Sequence, residues 1–301
     1  MIKRFMSCSI FLLVFVLIVS GCSKAVSNST YNPTIKNTET EKNGQVESQA
    51  TLNTEGNNTI DKGKSEETVS QQTKTTEPLK EVKNTEQKEI KKNNKVIVID
   101  PGHGGKTSSA TEKISPDSNT MKPKNVSGAT GIKSRTPEHV IALQVSMKLK
   151  ELLEKKGYTV IMTRTSDKET ISNIERAEVG NKNNADLVVR VHADSSPNNS
   201  VEGASMLVPG EVGYAKSIAK TSRKYGEIIF QALLEEVKMK SRGIVTRKDL
   251  TGFNWSRVPV VLIEMGFLSN PEEDKLLNSS DYQNKIALGL TKGIDEILTE
   301  K

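Results

Sequence analysis

Two histidines and two glutamates stand where they could share one chemistry. His103 lies in Asp100-Pro101-Gly102-His103-Gly104-Gly105, and His192 in Val191-His192-Ala193-Asp194-Ser195. Glu138 follows Thr136-Pro137, and Glu264 ends the run Val258-Pro259-Val260-Val261-Leu262-Ile263. Two neutral imidazoles and one carboxylate make a known catalytic zinc set that leaves a fourth position for water. A second carboxylate nearby can take a proton from that water and hand it to a leaving amine. The four residues do not follow the single-helix His-Glu-x-x-His pattern, so distant segments must bring them together. Each also has a plainer reading. A strand-end histidine is often a hydrogen-bonded structural residue, and the helix dipole alone favours an acidic residue in a first turn. Two histidines ending two buried strands tilt the reading toward a shared site.

The elements that must position them are legible. Val96-Ile97-Val98-Ile99 is a run of β-branched residues suited to a strand buried on both faces of a parallel sheet. Pro101 stops it, and the surrounding glycines let the backbone turn away and leave the His103 imidazole uncrowded at the strand's carboxyl end, where open α/β sheets place their ligands. Thr136 as N-cap and Pro137 at the first helical position open a helix. Ile141, Val145, Leu149 and Leu152 form its apolar stripe, and Glu138 continues that stripe backwards, which turns its carboxylate inward. An inward carboxylate needs a partner such as a metal or a cation. The third histidine, His139, shares a face with Ser146 and Lys150 and is expected to point to solvent.

Between His103 and that helix, residues 106–135 are polar, with Pro116, Pro123, Gly128 and Gly131 and no sustained periodicity. They read as a long loop whose place beside His103 favours a lid or substrate-contacting role. Lys155-Lys156-Gly157 ends the helix, and residues 158–164 form a second strand. Ser172 and Glu175 make a capping box for a short helix reaching Lys182, on which Arg176 is expected to form an ion pair or anchor a loop. Residues 187–192 are a strand ending in His192, and 203–208 another, placed at an edge by Pro209. An amphipathic helix over 214–240, a short strand over 242–245 and a turn at Arg247-Lys248-Asp249-Leu250 follow. The charges of that turn are expected to be solvated, with Arg247 also open to a substrate contact. The strand over 258–264 delivers Glu264, Asn270-Pro271 starts a small helix, and residues 281–298 close the chain with Ile286, Leu290, Ile294 and Ile297 inward. The fold class is α/β: a single domain with a mixed, mainly parallel sheet flanked by helices.

The whole chain has 301 residues and a net charge of +6. With no dense Lys/Arg block and only 4% aromatic residues, it offers little to nucleic acid. Both cysteines, Cys8 and Cys22, fall in the first 22 residues, which excludes a disulfide framework or cysteine-based metal site in the rest. Met1-Ile2-Lys3-Arg4 is a basic head, followed by a short apolar run and Val19-Ser20-Gly21-Cys22. This order resembles a bacterial lipoprotein signal over 1–21, with acylation of Cys22 and an extracytoplasmic protein anchored to the outer face of the cytoplasmic membrane. The competing reading is an ordinary cleaved signal or an uncleaved anchor. Residues 22–93 are polar and bury too little apolar surface to fold, so they are expected to be a disordered linker. A flexible linker of about 70 residues has a root-mean-square reach of roughly 45–50 Å. The folded domain is expected over 94–301.

Four ordered motifs resemble the zinc-dependent N-acetylmuramoyl-L-alanine amidases of the type-3 family: Asp100 to Gly105, Glu138 at a helix start, Val191 to Ser195, and Val258 to Asn270. The resemblance implies that His103, Glu138 and His192 bind Zn2+ and that Glu264 is the catalytic carboxylate. It implies hydrolysis of the amide between the lactyl group of muramic acid and the L-alanine of the peptidoglycan stem, in cell-wall or spore-cortex remodelling. The implied partners are peptidoglycan and, through Cys22, the membrane; an activator protein is a further candidate. The chain departs from the family pattern in a longer loop before Glu138 and in Ile141 and Ala142, where an Asn usually follows that glutamate. Two other classes compete, a zinc peptidase acting on another amide and a non-enzymatic, lipid-tethered wall-binding protein. Of the three, only the amidase frees intact stem peptides from the glycan.

Overall fold

The computed structural model describes residues 93–300; the leader, Cys22 and the linker up to residue 92 lie outside them. The chain runs through β1 (Val96–Pro101), β2 (Ser108–Lys113), β3 (Met121–Asn125), α1 (Glu138–Lys155), β4 (Thr159–Met162), α2 (Asn173–Lys182) and β5 (Leu187–Asp194). It continues with β6 (Ala204–Pro209), α3 (Ala219–Val237), β7 (Ser241–Arg247), α4 (Thr251–Asn254), β8 (Val260–Phe267), α5 (Pro271–Leu277) and α6 (Ser280–Thr299). Six strands form one sheet in the order β4-β1-β5-β8-β6-β7, and β2 and β3 pair separately as an antiparallel hairpin. Neighbours in the large sheet are parallel except β6 and β8. The α/β fold with a mixed, mainly parallel sheet is therefore as expected.

Strand alternation sends every second residue to the opposite face. Ile97, Ile99, Val189, Val191, Val261 and Ile263 are fully buried in the core shared with α1, α3 and α6. Val98, Val188, Val260 and Leu262 lie on the other face with Phe253 and Ile218. That second face changes character along the strands. The register sets Asp100 beside Arg190 and Arg190 beside Leu262, then His192 beside Glu264. The apolar floor thus gives way to charged residues at the carboxyl ends, on a face left open for a cavity.

The structure departs from the sequence reading at several places. Helix α1 begins at Glu138, with Pro137 rather than Thr136 in the N-cap position and no side-chain cap. The Thr136 carbonyl is taken by the Gly131 N–H, and the Glu138 N–H donates to the Ala129 carbonyl, so backbone replaces a hydroxyl cap. The polar stretch 106–135 contains β2 and β3, which leave few residues buried and so show no apolar alternation. Strand β6 is internal, between β8 and β7; Pro209 is its last residue, where the missing N–H interrupts nothing, and β7 is the edge. The helix expected from Tyr214 begins at Ala219, after a 3-10 turn over Gly213–Ser217.

Other readings hold in detail. Ser172 accepts from the Glu175 N–H and Glu175 bonds back to the Ser172 N–H, a capping box. Asn270 caps α5 with Pro271 behind it. Among the described residues no helix is long and apolar enough to cross a membrane.

Candidate metal centre and active-site cavity

His103 leaves β1 in a left-handed conformation, φ 55°, which a non-glycine residue adopts only when its surroundings enforce it. Two buried arginines do so. Arg164 donates to the carbonyls of Pro101 and Gly102, and Arg176 to those of Pro101 and His103. Arg176 is itself held by Asp100 at 2.6 Å, and Arg190 binds the other oxygen of the same carboxylate at 2.7 Å. Burial alone would raise the pKa of Asp100, but the two guanidiniums and the Thr163 hydroxyl hold it well below the usual carboxylate range. Arg176 is thus both an ion-pair partner and a loop anchor, as its position suggested.

Glu138 is buried at the start of α1, and the loop before it is built around its carboxylate. The Ala129 N–H donates to Oε2 at 2.8 Å and the Ala193 N–H to Oε1 at 3.1 Å. A methyl group at Gly128 would stand 2.3 Å from Glu138 Oε2 and 2.7 Å from the His103 ring, so only glycine leaves room for both. His192 comes from β5 with Nδ1 at 2.9 Å from Glu138 Oε1. His103 Nε2 lies 3.2 Å from the same oxygen, and the two rings meet edge to face at 4.9 Å between centroids. One atom each of His103, Glu138 and His192 converges within 4.8 Å. His139 is half-buried and lies outside this cluster.

The donor geometry suits a divalent cation. Ligands held about 2.0–2.1 Å from a tetrahedral zinc stand roughly 3.3 Å apart, close to the spacings about Glu138 Oε1. The hydrogen bonds of His103 point the same way. Its Nδ1 is 2.9 Å from the Val126 carbonyl, an acceptor only, so Nδ1 carries the hydrogen. A neutral ring then turns the lone pair of Nε2 toward a carboxylate oxygen, and two acceptors at hydrogen-bond distance repel. Either a cation stands between them or His103 is protonated. Burial opposes that protonation, yet the hydrogen bond and charge of Glu138 raise the His103 pKa above its ordinary value. In His192 burial dominates and lowers the pKa to about 4, which keeps the ring neutral and able to act as a ligand.

Glu264 joins the group from β8, beside His192 in register. Its Oε2 is buried without a hydrogen-bond partner among the described residues. Burial, then the negative charges of Glu138 and Asp194, push its pKa well above the usual range, as suits a proton carrier. His103, His192 and Glu264 line one cavity of about 250 Å³, which Lys122, Arg247 and Thr251 also line. The hairpin therefore does border the site, through Lys122 and Pro123. Arg247 reaches the cavity but is engaged by Asp249 through two bonds of 2.8 Å.

The sequence of residues 97–296 matches the model of the N-acetylmuramoyl-L-alanine amidase family. The chain belongs to that family. As an amidase it is a hydrolase of the bond between muramic acid and the L-alanine of the peptidoglycan stem. The germination-specific N-acetylmuramoyl-L-alanine amidase of Bacillus subtilis (strain 168) is 30% identical over 223 residues, covering 69% of this chain and 81% of that protein. The CwlD amidase from Clostridioides difficile, solved in complex with the GerS lipoprotein, is 28% identical with a TM-score of 0.56 over 68% of this chain and 99% of that one. Ami1 from Mycobacterium smegmatis shares the fold, with a TM-score of 0.63 at 23% identity over 69% of this amidase and 98% of its own chain.

Several parts of the candidate site have no role in the sequence reading. Asp100 stands there only as the first residue of its motif and Arg190 not at all, although a charged residue inside the buried run Leu187-Val188-Val189-Arg190-Val191 is a signal in itself. Gly128 and Ala129 could not have been found, because the contacts that explain them come from a loop with no periodicity.

Proposed function

We propose that this amidase is a zinc enzyme in which His103, Glu138 and His192 hold the metal and Glu264 carries the proton. The observation that supports this best is the pair of facing acceptors, His103 Nε2 and Glu138 Oε1, 3.2 Å apart. Zinc bound there supplies Lewis acidity, which polarises an amide carbonyl and makes water acidic enough to attack near neutral pH. The protein's part is positional. Val126 and the two arginines orient His103, and the Ala129 and Ala193 amides fix the Glu138 carboxylate. Glu264, with its free Oε2 and raised pKa, accepts a proton from the attacking water and delivers it to the departing alanine nitrogen.

The lipoprotein-type leader and Cys22 support a reading in which this chemistry takes place outside the cytoplasm on a tethered chain. Where CwlD was solved with a separate lipoprotein, this chain carries its own candidate acylation site. An activator protein remains part of the proposal at the level of that comparison.

The test uses the purified full chain. Its metal content is measured, and peptidoglycan digests are analysed by mass before and after chelation. Intact stem peptides beginning with L-alanine should appear, vanish on zinc removal and return on its re-addition. Glu264→Gln should retain zinc and lose turnover by at least about a hundredfold; full activity in that variant would remove Glu264 from the mechanism. Radiolabelled palmitate should enter the wild type and not Cys22→Ser.

A further inference from the structure

Arg190 has a charge that the fold does not fully use. It is 5% exposed and lines the cavity with His103, His192 and Glu264. Its Nε donates to Asp100, but that carboxylate also serves Arg176, so one negative charge faces two guanidiniums. Nη2 makes only a long contact, 3.4 Å, with the Asn173 side chain, and no bond from Nη1 occurs among the described residues. An arginine fork carries five N–H donors and no acceptor, so the unused ones call for an acceptor from outside the fold. Gly252 makes room for the group: a methyl there would stand 2.7 Å from Nη1 and 2.9 Å from Cζ. The other arginine of the cavity, Arg247, is neutralised by Asp249. Arg190 is therefore the buried cation whose fork stays open on the cavity side.

We propose that Arg190 is the floor of a carboxylate subsite, and that its ligand is the free α-carboxylate on the second residue of the stem peptide. The proposal rests on the amidase reading and deepens it. Arginine's planar fork matches a carboxylate with two parallel hydrogen bonds, and the low dielectric of a cavity strengthens them. Spacing selects which carboxylate. Arg190 and His192 are two residues apart on one face of β5, roughly 6.6 Å along the strand. From the scissile nitrogen, the α-carboxylate of the second stem residue is one full residue and part of the next away, roughly 5–6 Å in an extended chain. With the scissile amide at the histidines, that group lies over Arg190. The third residue's carboxylate falls beyond it.

The experiment uses the full-length, zinc-loaded protein and three soluble muramoyl peptides. One has free carboxylates on the second and third stem residues, one carries a carboxamide on the second, and one a carboxamide on the third. The wild type should cleave the first and last alike, with kcat/KM about tenfold to a hundredfold lower on the second, as expected for loss of a charge-assisted pair. Arg190→Gln should lower kcat/KM on the free acid to the wild-type value for the second-residue amide, with zinc content unchanged, and Arg190→Lys should recover part of the difference. Equal wild-type rates on acid and second-residue amide would overturn the subsite. So would a preference that follows the third residue, or one that survives in Arg190→Gln. If that variant does not fold, the three wild-type rates still decide. Release of stem peptide from none of the substrates would instead remove the amidase reading, and the subsite with it.

Discussion

At His103 the backbone, the ring and the charge are constrained from different directions. Arginines hold the backbone carbonyls, Val126 fixes which nitrogen bears the hydrogen, and Glu138 waits on the other side. Metal and proton therefore compete for one lone pair. Because Glu138 raises the His103 pKa above 6.5, metal affinity should climb with pH up to that raised value and level off above it. Calorimetry in buffers of different ionisation enthalpy should show about one proton released per zinc bound near pH 6. Zinc uptake without proton release at pH 6 would mean that the ring is already neutral. Gly128 is a second point of control. A methyl there overlaps both Glu138 and His103, so Gly128→Ala should reduce zinc affinity by about tenfold to a hundredfold while thermal unfolding of the apo form changes little. The two histidines and two glutamates were legible because strand ends and a helix start present them. Gly128 and Arg190 were not, since the first serves atoms of distant residues and the second hides in an apolar run.

Among the elements, β1, β5 and β8 declared themselves through β-branched runs, and their shared direction brings three of the four residues to one end of the sheet. The β2–β3 hairpin did not, because its pairing is not accompanied by apolar burial. A buried carboxylate fastens it instead: Glu112 is 5% exposed and accepts from the Asn173 and Ile174 N–H groups at the start of α2. These are the donors that a helix N-terminus leaves free, and the helix dipole favours a negative charge there. Glu112→Ala should cost about 1–3 kcal/mol and speed amide exchange in 108–125 beyond that in β5. Because the hairpin borders the cavity through Lys122, KM for muramoyl peptides should rise more than kcat falls. Exchange that stays as slow as in the wild type would assign the anchoring elsewhere. The misplacement of β6 has a similar cause. Pro209 read as an edge signal, but a proline at the last position of a strand removes no bond that β7 needs.

Taken as a whole, the folded region depends on Asp100 in the way the sheet depends on β1. This one carboxylate ties β1 to β5 through Arg190, to α2 through Arg176, and to the segment after β4 through Thr163. Its folded pKa is depressed well below its unfolded value, near 3.9. A depressed carboxylate contributes stability that is complete above the unfolded pKa and is lost as the pH falls toward the folded one. In that window the unfolded chain binds a proton that the native state refuses. The free energy of unfolding of the apo protein in urea should therefore drop between pH 5 and pH 3, in part through this residue. Asp100→Asn leaves two buried guanidiniums without a counter-charge and should be about 3–5 kcal/mol less stable at pH 7, with a shallower loss on acidification than the wild type. Parallel pH profiles for the two proteins would show that other carboxylates govern acid unfolding. A variant as stable as the wild type at pH 7 would mean that the arginines find compensation outside the Asp100 network.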